Sequence, residues 1–201
     1  MGQPPKPAVA AAPAAAADPA AFKTEILKKR LQAAVIDGGT IGFTFIIMEI
    51  VPFVIISKFS FLLAQLFLVF ICLVFGVITL YKDGPYTFGV ADISLEMQSL
   101  GKKFMGLRVL KVDGKTPITW NESAQRNMPM AVPYFLVMIT ILTTTATSFM
   151  PLALQIIPFL LSILVFFVAL GILGFELFNI WKDPQGRRWG DRSAGTTVFM
   201  D

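Results

Sequence analysis

Residues Ser60–Tyr81 read SFLLAQLFLVFICLVFGVITLY, and after Ser60 only Gln65 and Thr79 interrupt the apolar run. A hydrocarbon core of about 30 Å takes ~20 helical residues to cross, so this segment is long enough to span a bilayer. Three other stretches have the same character: Ala33–Ser57, Met128–Ser148 and Pro151–Ile180. The sequence therefore predicts an all-α membrane protein built as a bundle of four transmembrane helices.

The composition supports this fold class. Of the 201 residues, 55% are hydrophobic and 19 are Phe, and the mean hydropathy is +0.70. A soluble domain of this length has too small a core to bury so much apolar surface. Histidine is absent, which removes the commonest general base and metal ligand. The single cysteine, Cys72, excludes an internal disulfide and a thiolate cage. We expect no enzyme activity, no cofactor and no metal.

Positive charge is confined to one side of the predicted spans. All of the 17 Lys and Arg residues except Lys58 lie before the first span, between the second and third, or after the fourth. Because positive charge resists translocation, both termini and the central loop are predicted to be cytoplasmic. Basic loops next to a membrane favour anionic lipid headgroups, so we expect no nucleic-acid partner.

Two regions outside the spans have recognisable patterns. Residues 1–21 form an Ala/Pro-rich tail that lacks a signal-peptide core, and we expect it to be disordered and cytoplasmic before a membrane domain at 22–201. In the central loop, Leu107–Val112, then Asp113-Gly114, then Lys115–Trp120 predict a β-hairpin, accompanied by amphipathic helices. Thr119 and Glu122 have capping-box spacing and predict a helix start.

A carboxylate inside the first span needs a partner. Asp37 lies roughly one turn below the interface, where an unpaired charge costs ~2.5–3.5 kcal/mol. Arg30 is seven residues earlier and within about 20° of the same helix face, but its Cα is ~10 Å away along the axis. Arg126, Arg188 and Arg192 emerge on the same side of the membrane and are equally good candidates. We predict that guanidinium groups surround Asp37.

Three blocks of sequence resemble a known family. They are KRLQAAVID at Lys29–Asp37, SLGKKFMGLRV at Ser99–Val109 and GDRSAGTTV at Gly190–Val198. In this order they are similar to the RDD family of bacterial membrane proteins, over about residues 28–199. The resemblance implies a multi-pass protein of the bacterial cytoplasmic (inner) membrane. Most members of the family have no assigned function, and a few have been linked to sodium/proton exchange.

The resemblance also assigns residues. The Arg and two Asp of the family's name map onto Arg30, Asp37 and Asp191, and Arg126 before the third span fits the pattern as well. The family often has His before the final Asp, where this chain has Gly190. A role of that His cannot apply to this chain.

Two further acids lie in apolar spans. Glu49 is ~6 Å outward of the midplane of the first span, and no cation of a neighbouring span can reach it. It is therefore protonated, faces a wet cavity or a partner, or bonds a helix carbonyl, Gln65 or Gln155. Glu176, near the cytoplasmic end of the fourth span, reaches water or pairs with Arg, or joins Asp37 in one polar layer. A candidate ion or proton pathway consists of Asp37, Glu49 and Glu176.

Two functions remain open from the sequence. In the first, the protein is a membrane scaffold that binds a partner or anionic lipid. Its motif cluster would be structural, and would comprise Arg30, Asp37, Asp191, Arg126 and Arg192. The tail Arg187–Val198 would be a latch docked under the bundle. In the alternative, Asp37 and Glu49 serve a small cation/proton exchanger for a sodium ion or proton. Four helices are few for a pathway, so we expect a homo-oligomer.

Overall fold

Four long helices form a bundle with a small sheet at one end in the computed structural model, which describes residues 19–85 and 98–200. The long helices are α1 (Pro19–Ile56), α2 (Phe61–Tyr81), α4 (Trp120–Thr147) and α5 (Ile156–Lys182), and α3 (Leu100–Phe104) and α6 (Trp189–Ser193) are short. All four long helices are apolar and long enough to cross a membrane, which confirms the predicted fold class. Most of the Ala/Pro-rich tail lies outside the described residues.

Local sequence signals account for several helix boundaries. Ser60 caps α2 by accepting the amide of Leu63 at 3.2 Å. The predicted capping box at Thr119 and Glu122 is confirmed, since each side chain accepts the other residue's backbone amide. It places the start of α4 eight residues before the apolar stretch predicted from hydropathy, so the helix carries a polar first two turns.

The helices pack through aromatic and small residues and leave apolar side chains exposed outward. The rings of Phe45 on α1, Phe75 on α2 and Tyr134 on α4 lie with centroids 5.2 to 6.4 Å apart. Large apolar side chains such as Phe43 and Phe167 remain exposed, as a bilayer environment requires. The hydroxyls of the threonines at 143–145 donate to carbonyls four residues earlier on their own helix.

The predicted β-hairpin is wrong, although a sheet does form. Strand β1 (Leu107–Lys111) pairs antiparallel with β2 (Thr196–Met200) from the C-terminal end of the chain. The turn at Asp113-Gly114 exists, with φ of +69° at Gly114. Beyond it the Thr116 carbonyl accepts the Lys111 amide at 3.0 Å and Pro117 bridges to Leu110, but no second strand follows in the described part of this loop. Pro117 has no amide to donate and α4 begins just after it, so that edge of β1 cannot extend into a hairpin.

The sheet packs against what we call the charged end of the bundle. This is the end that contains the start of α1, the end of α2, the start of α4 and the end of α5, together with α3 and α6. A small apolar core joins the sheet to α1, and it consists of Ala33, Leu107, Val109, Ile118 and Val198. The charged end is therefore a packed layer rather than a set of free loops.

Candidate functional site

Asp191 is the centre of the charged end. It is fully buried, and three arginines from three parts of the chain surround its carboxylate. Nη2 of Arg30 lies 2.5 Å from its Oδ2, Nε of Arg126 lies 2.9 Å from its Oδ1, and Nε of Arg188 lies 3.4 Å from its Oδ1. The backbone amide of Arg188 also donates to Oδ2, at 3.0 Å. Asp191 thus bonds both a backbone amide and arginines, an arrangement compatible with the predicted latch.

A second buried acid extends this arrangement. Asp83, just after α2, is fully buried and forms an ion pair with Lys102 of α3. Its Oδ2 lies 3.6 Å from Nε of Arg126 and accepts a hydrogen bond from the side-chain Nδ2 of Asn127 at 3.2 Å. Arg126 therefore lies between the two acids. We call the set Arg30, Asp83, Lys102, Arg126, Arg188 and Asp191 the Asp191 cluster.

The electrostatics of the cluster favour ionised acids. Burial alone would raise the pKa of Asp191, but the charges of Arg126, Arg30 and Arg188 outweigh it and hold that pKa well below its ordinary value. Burial likewise opposes ionisation of Asp83, but the positive charges of Lys102 and Arg126 outweigh burial and lower the pKa of Asp83. Burial, aided by the neighbouring cations, lowers the pKa of Lys102 to about 7 although Asp83 opposes the change.

Asp37 is held by other partners than those predicted. It is 6% exposed, and its carboxylate accepts the Ser99 hydroxyl at 2.5 Å and the amide of Gly101 at 2.7 Å. Arg30, the predicted partner on the same helix, instead donates to Asp191 and to the Gly186 carbonyl. The structure thus satisfies the buried carboxylate with hydrogen bonds from the start of α3. The charge of Lys82 also acts on it from nearby.

Two close backbone approaches fix this geometry. A Cβ at Gly101 would lie 2.2 Å from the carbonyl oxygen of Ala33, so α3 touches the backbone of α1 directly. A Cβ at Gly190 would lie 2.1 Å from the carbonyl oxygen of Arg126, so α6 touches the backbone of α4. Only glycine permits these approaches without movement. The first approach aims an amide at Asp37, and the second brings Asp191 beside Arg126.

Two predicted residues lie apart from the cluster. Arg192 is exposed and donates to the side-chain oxygen of Asn179 on α5. Glu176 is 2% exposed, so it does not reach water as one prediction had it, and its carboxylate accepts the amide of Trp189 at 3.2 Å. Both contacts tie α6 to the end of α5. They therefore belong to the docking of the tail.

A cavity of about 260 Å³ lies inside the charged end, and we call it the charged-end cavity. Its charged lining consists of Arg30, Asp37, Lys82, Lys102, Arg126 and Arg188. The rest of its wall is apolar, and it includes Leu31 and Ala34 of α1 and Leu177 and Ile180 of α5. Of the motif residues, Arg30, Asp37 and Arg126 line this cavity, whereas Asp191 pairs with Arg30 and Arg126 from outside the lining.

Glu49 lies in a separate cavity of about 340 Å³ further along the bundle. The side chains of Thr140, Thr144 and Ser162 line it as well. The thiol of Cys72 donates weakly to Oε1 of Glu49, with the sulfur at 3.7 Å. That partner was not among those predicted, since Gln65, Gln155 and a helix carbonyl were the candidates. Within residues 19–85 and 98–200, no group of three or more Cys, Asp or Glu side chains has the arrangement of a metal site.

Sequence reasoning missed Asp83, Lys102 and the two partners of Asp37. A signal for Asp83 was present, because it directly follows Lys82 at the end of an apolar span and an acid there needs a partner. Lys102 and Ser99 lie in a block that resembled the family, but nothing local showed which acid each contacts. These contacts join residues 19 to 64 positions apart, so the folded chain was needed to find them.

Fold and site together define a multi-pass membrane protein with a buried Arg/Asp cluster at one end of a four-helix bundle. The profile of the RDD family matches residues 26–195, and the chain belongs to the RDD family. Searches of curated proteins and of solved structures found no match.

Proposed function

We propose that this protein is a non-transporting, non-enzymatic membrane scaffold whose charged end binds a partner or anionic lipid. One observation carries the proposal. Asp191 is fully buried and pairs with arginines that come from α1, from α4 and from the segment before α6. Its pKa lies well below the ordinary value, so it stays ionised and paired at neutral pH. A carboxylate in that state holds chain segments together and does not exchange protons.

The distribution of charge supports an orientation. The Asp191 cluster and the basic segments around it lie at one end, whereas only Lys58 lies in the joint between α1 and α2. The joint between α4 and α5 carries no charge. By the rule that positive loops stay inside, we propose that the charged end faces the cytoplasm of a bacterial inner membrane. Anionic lipid headgroups would then lie against it.

Reconstitution into vesicles tests the scaffold directly. The purified full-length chain is placed in liposomes that carry a pH gradient or a sodium gradient, and both gradients are followed with fluorescent indicators. The scaffold proposal expects both gradients to decay as in protein-free vesicles. A sodium-dependent collapse of the pH gradient that Asp37→Asn and Glu49→Gln each abolish would overturn it.

A cation/proton exchanger is the second candidate, and one observation favours it. Glu49 lines a cavity of about 340 Å³ together with three hydroxyl side chains, which is a setting where a carboxylate can take up an ion or proton. Asp37 is 12 residues away on the same helix, which is ~18 Å along its axis, and it lines other cavities. We propose that exchange would therefore need a homo-oligomer to join the two sites.

The two candidates differ in what Glu49 does. If the protein is an exchanger, Glu49→Gln should stop sodium and proton flux while the protein keeps its fold. The matched control is Ser162→Ala, which alters the same cavity without removing a titratable group. Equal flux in the wild type and Glu49→Gln would exclude a role for Glu49 in exchange.

A further inference from the structure

The charged-end cavity is lined by more basic side chains than acidic ones. Five cationic side chains line it. Asp37 also lines it, and Asp83 and Asp191 pair with the cations from behind. Even with Glu176, whose charge acts on Arg188, four carboxylates face five cations when Lys102, whose pKa is about 7, is protonated. Uncompensated charge is costly in a buried site, so the cavity favours an anion.

Arg126 provides donors for such an anion. Its side chain is buried, with 1% of the residue exposed, and its Nε lies against Asp191. Among the residues that the structure describes, neither Nη1 nor Nη2 of Arg126 has a hydrogen-bond acceptor. A guanidinium group presents its donors in a planar fork that matches the oxygens of a phosphate. Arg126 lines the cavity, and its two terminal nitrogens without an acceptor are suited to a phosphate group there.

The apolar wall shows where a ligand would enter. Leu31 of α1 is 60% exposed and Leu177 of α5 is 49% exposed, and both line the cavity. These helices pack mainly on other elements, α1 on α2 and α3 and α5 on α4. Since both cross the membrane, a rim between them faces lipid. A ligand with phosphate at one end and hydrocarbon behind it fits this arrangement.

We propose that the charged-end cavity binds the phosphate group of an anionic phospholipid, held by Arg126, with an acyl chain between α1 and α5. The proposal rests on the proposed function, because it names a ligand for the same cluster. The volume of about 260 Å³ far exceeds the ~10–15 Å³ that one water needs. The pKa of Lys102, lowered to about 7 by burial and by the neighbouring cations, would rise when a phosphate supplies negative charge.

Native mass spectrometry of the full chain in neutral detergent tests the site. Phosphatidylglycerol is titrated against phosphatidylcholine, and we expect one phosphatidylglycerol per chain with an affinity at least about tenfold higher. Ala34→Trp fills the cavity from α1 without removing a charged residue, and should weaken binding about tenfold or more. The matched control is Val35→Trp, whose position is 66% exposed and outside the lining, and which should bind as the wild type does.

Each outcome decides a separate point. Binding of phosphatidylglycerol that Ala34→Trp leaves unchanged would overturn the site. If Ala34→Trp does not fold, Ile180→Trp fills the same cavity from α5 and replaces it. A parallel titration with inorganic phosphate separates the sources: equal affinity would keep the anion site and overturn the lipid as its source. Flux is not measured here, so the phosphate site and the scaffold can fail independently.

Discussion

Replacing Asp191 with Asn should destabilise the protein more than any other single loss of charge in the charged end. The side chain is fully buried, and Arg30, Arg126 and Arg188 lie 2.5, 2.9 and 3.4 Å from its oxygens. Asn keeps the shape but not the charge, so three guanidinium groups lose their central counterion. Removing one partner of a buried ion pair costs about 3–5 kcal/mol, which is a large share of the ~5–15 kcal/mol that stabilises a typical domain.

The assay is unfolding by SDS in mixed micelles, followed by tryptophan fluorescence. Trp189 lies two residues from Asp191 and reports on the cluster itself. The matched control is Asp113→Asn. That carboxylate is exposed and bonds only its own turn through the amides of Lys115 and Thr116. Its loss should destabilise the protein far less than the loss of Asp191, because water replaces the bonds of an exposed carboxylate. Equal destabilisation by the two variants would refute the reasoning.

Three further predictions follow from the same geometry. Gly190→Ala places a Cβ 2.1 Å from the carbonyl oxygen of Arg126 and should lower the free energy of unfolding by about 1–3 kcal/mol. Gly171→Ala is the control, because a Cβ there has open space around it and should be neutral or stabilising. Equal effects of the two variants in thermal melts would contradict this prediction. Asp37→Asn loses charge-assisted bonds and should cost about 1.5–3 kcal/mol, and unchanged melting would show that the bonds are not made. Because the pKa of folded Asp191 lies well below 3.8, the unfolded chain binds its proton first on acidification. The stability that ionised Asp191 contributes should therefore be lost as the pH falls below 3.8. The loss should be smaller in Asp191→Asn, and identical plots of stability against pH for the two proteins would exclude this contribution.

Local patterns predicted the elements well, because local chemistry causes them. Hydropathy located the four spans, and the spacing of Thr119 and Glu122 located the start of α4. The hairpin failed because its turn is a local feature while the partner of its first strand is not. The turn residues at Asp113-Gly114 behave as predicted, but β1 pairs with a strand about 90 residues later.

The sequence predicted which residues belong to the site better than it predicted which of them contact each other. Arg30, Asp37, Arg126 and Asp191 do share one end of the bundle, as the charge pattern and the resemblance indicated. The helical repeat correctly placed Arg30 on the same face of α1 as Asp37, two turns away. In the folded chain Arg30 instead pairs with Asp191, which lies 161 positions later. Close packing of Gly101 on α1 then supplies Asp37 with an amide, which a sequence pattern cannot reveal.

A double-mutant cycle between Arg30 and Asp191 tests the central claim most directly. The claim is that this ion pair joins the start of α1 to the C-terminal segment and stabilises the bundle. Unfolding free energies are measured for Arg30→Gln, Asp191→Asn and the double variant. Because the two groups lie 2.5 Å apart, we predict a coupling free energy of about 1.5 kcal/mol or more. Additive effects, to within about 0.5 kcal/mol, would contradict the claim.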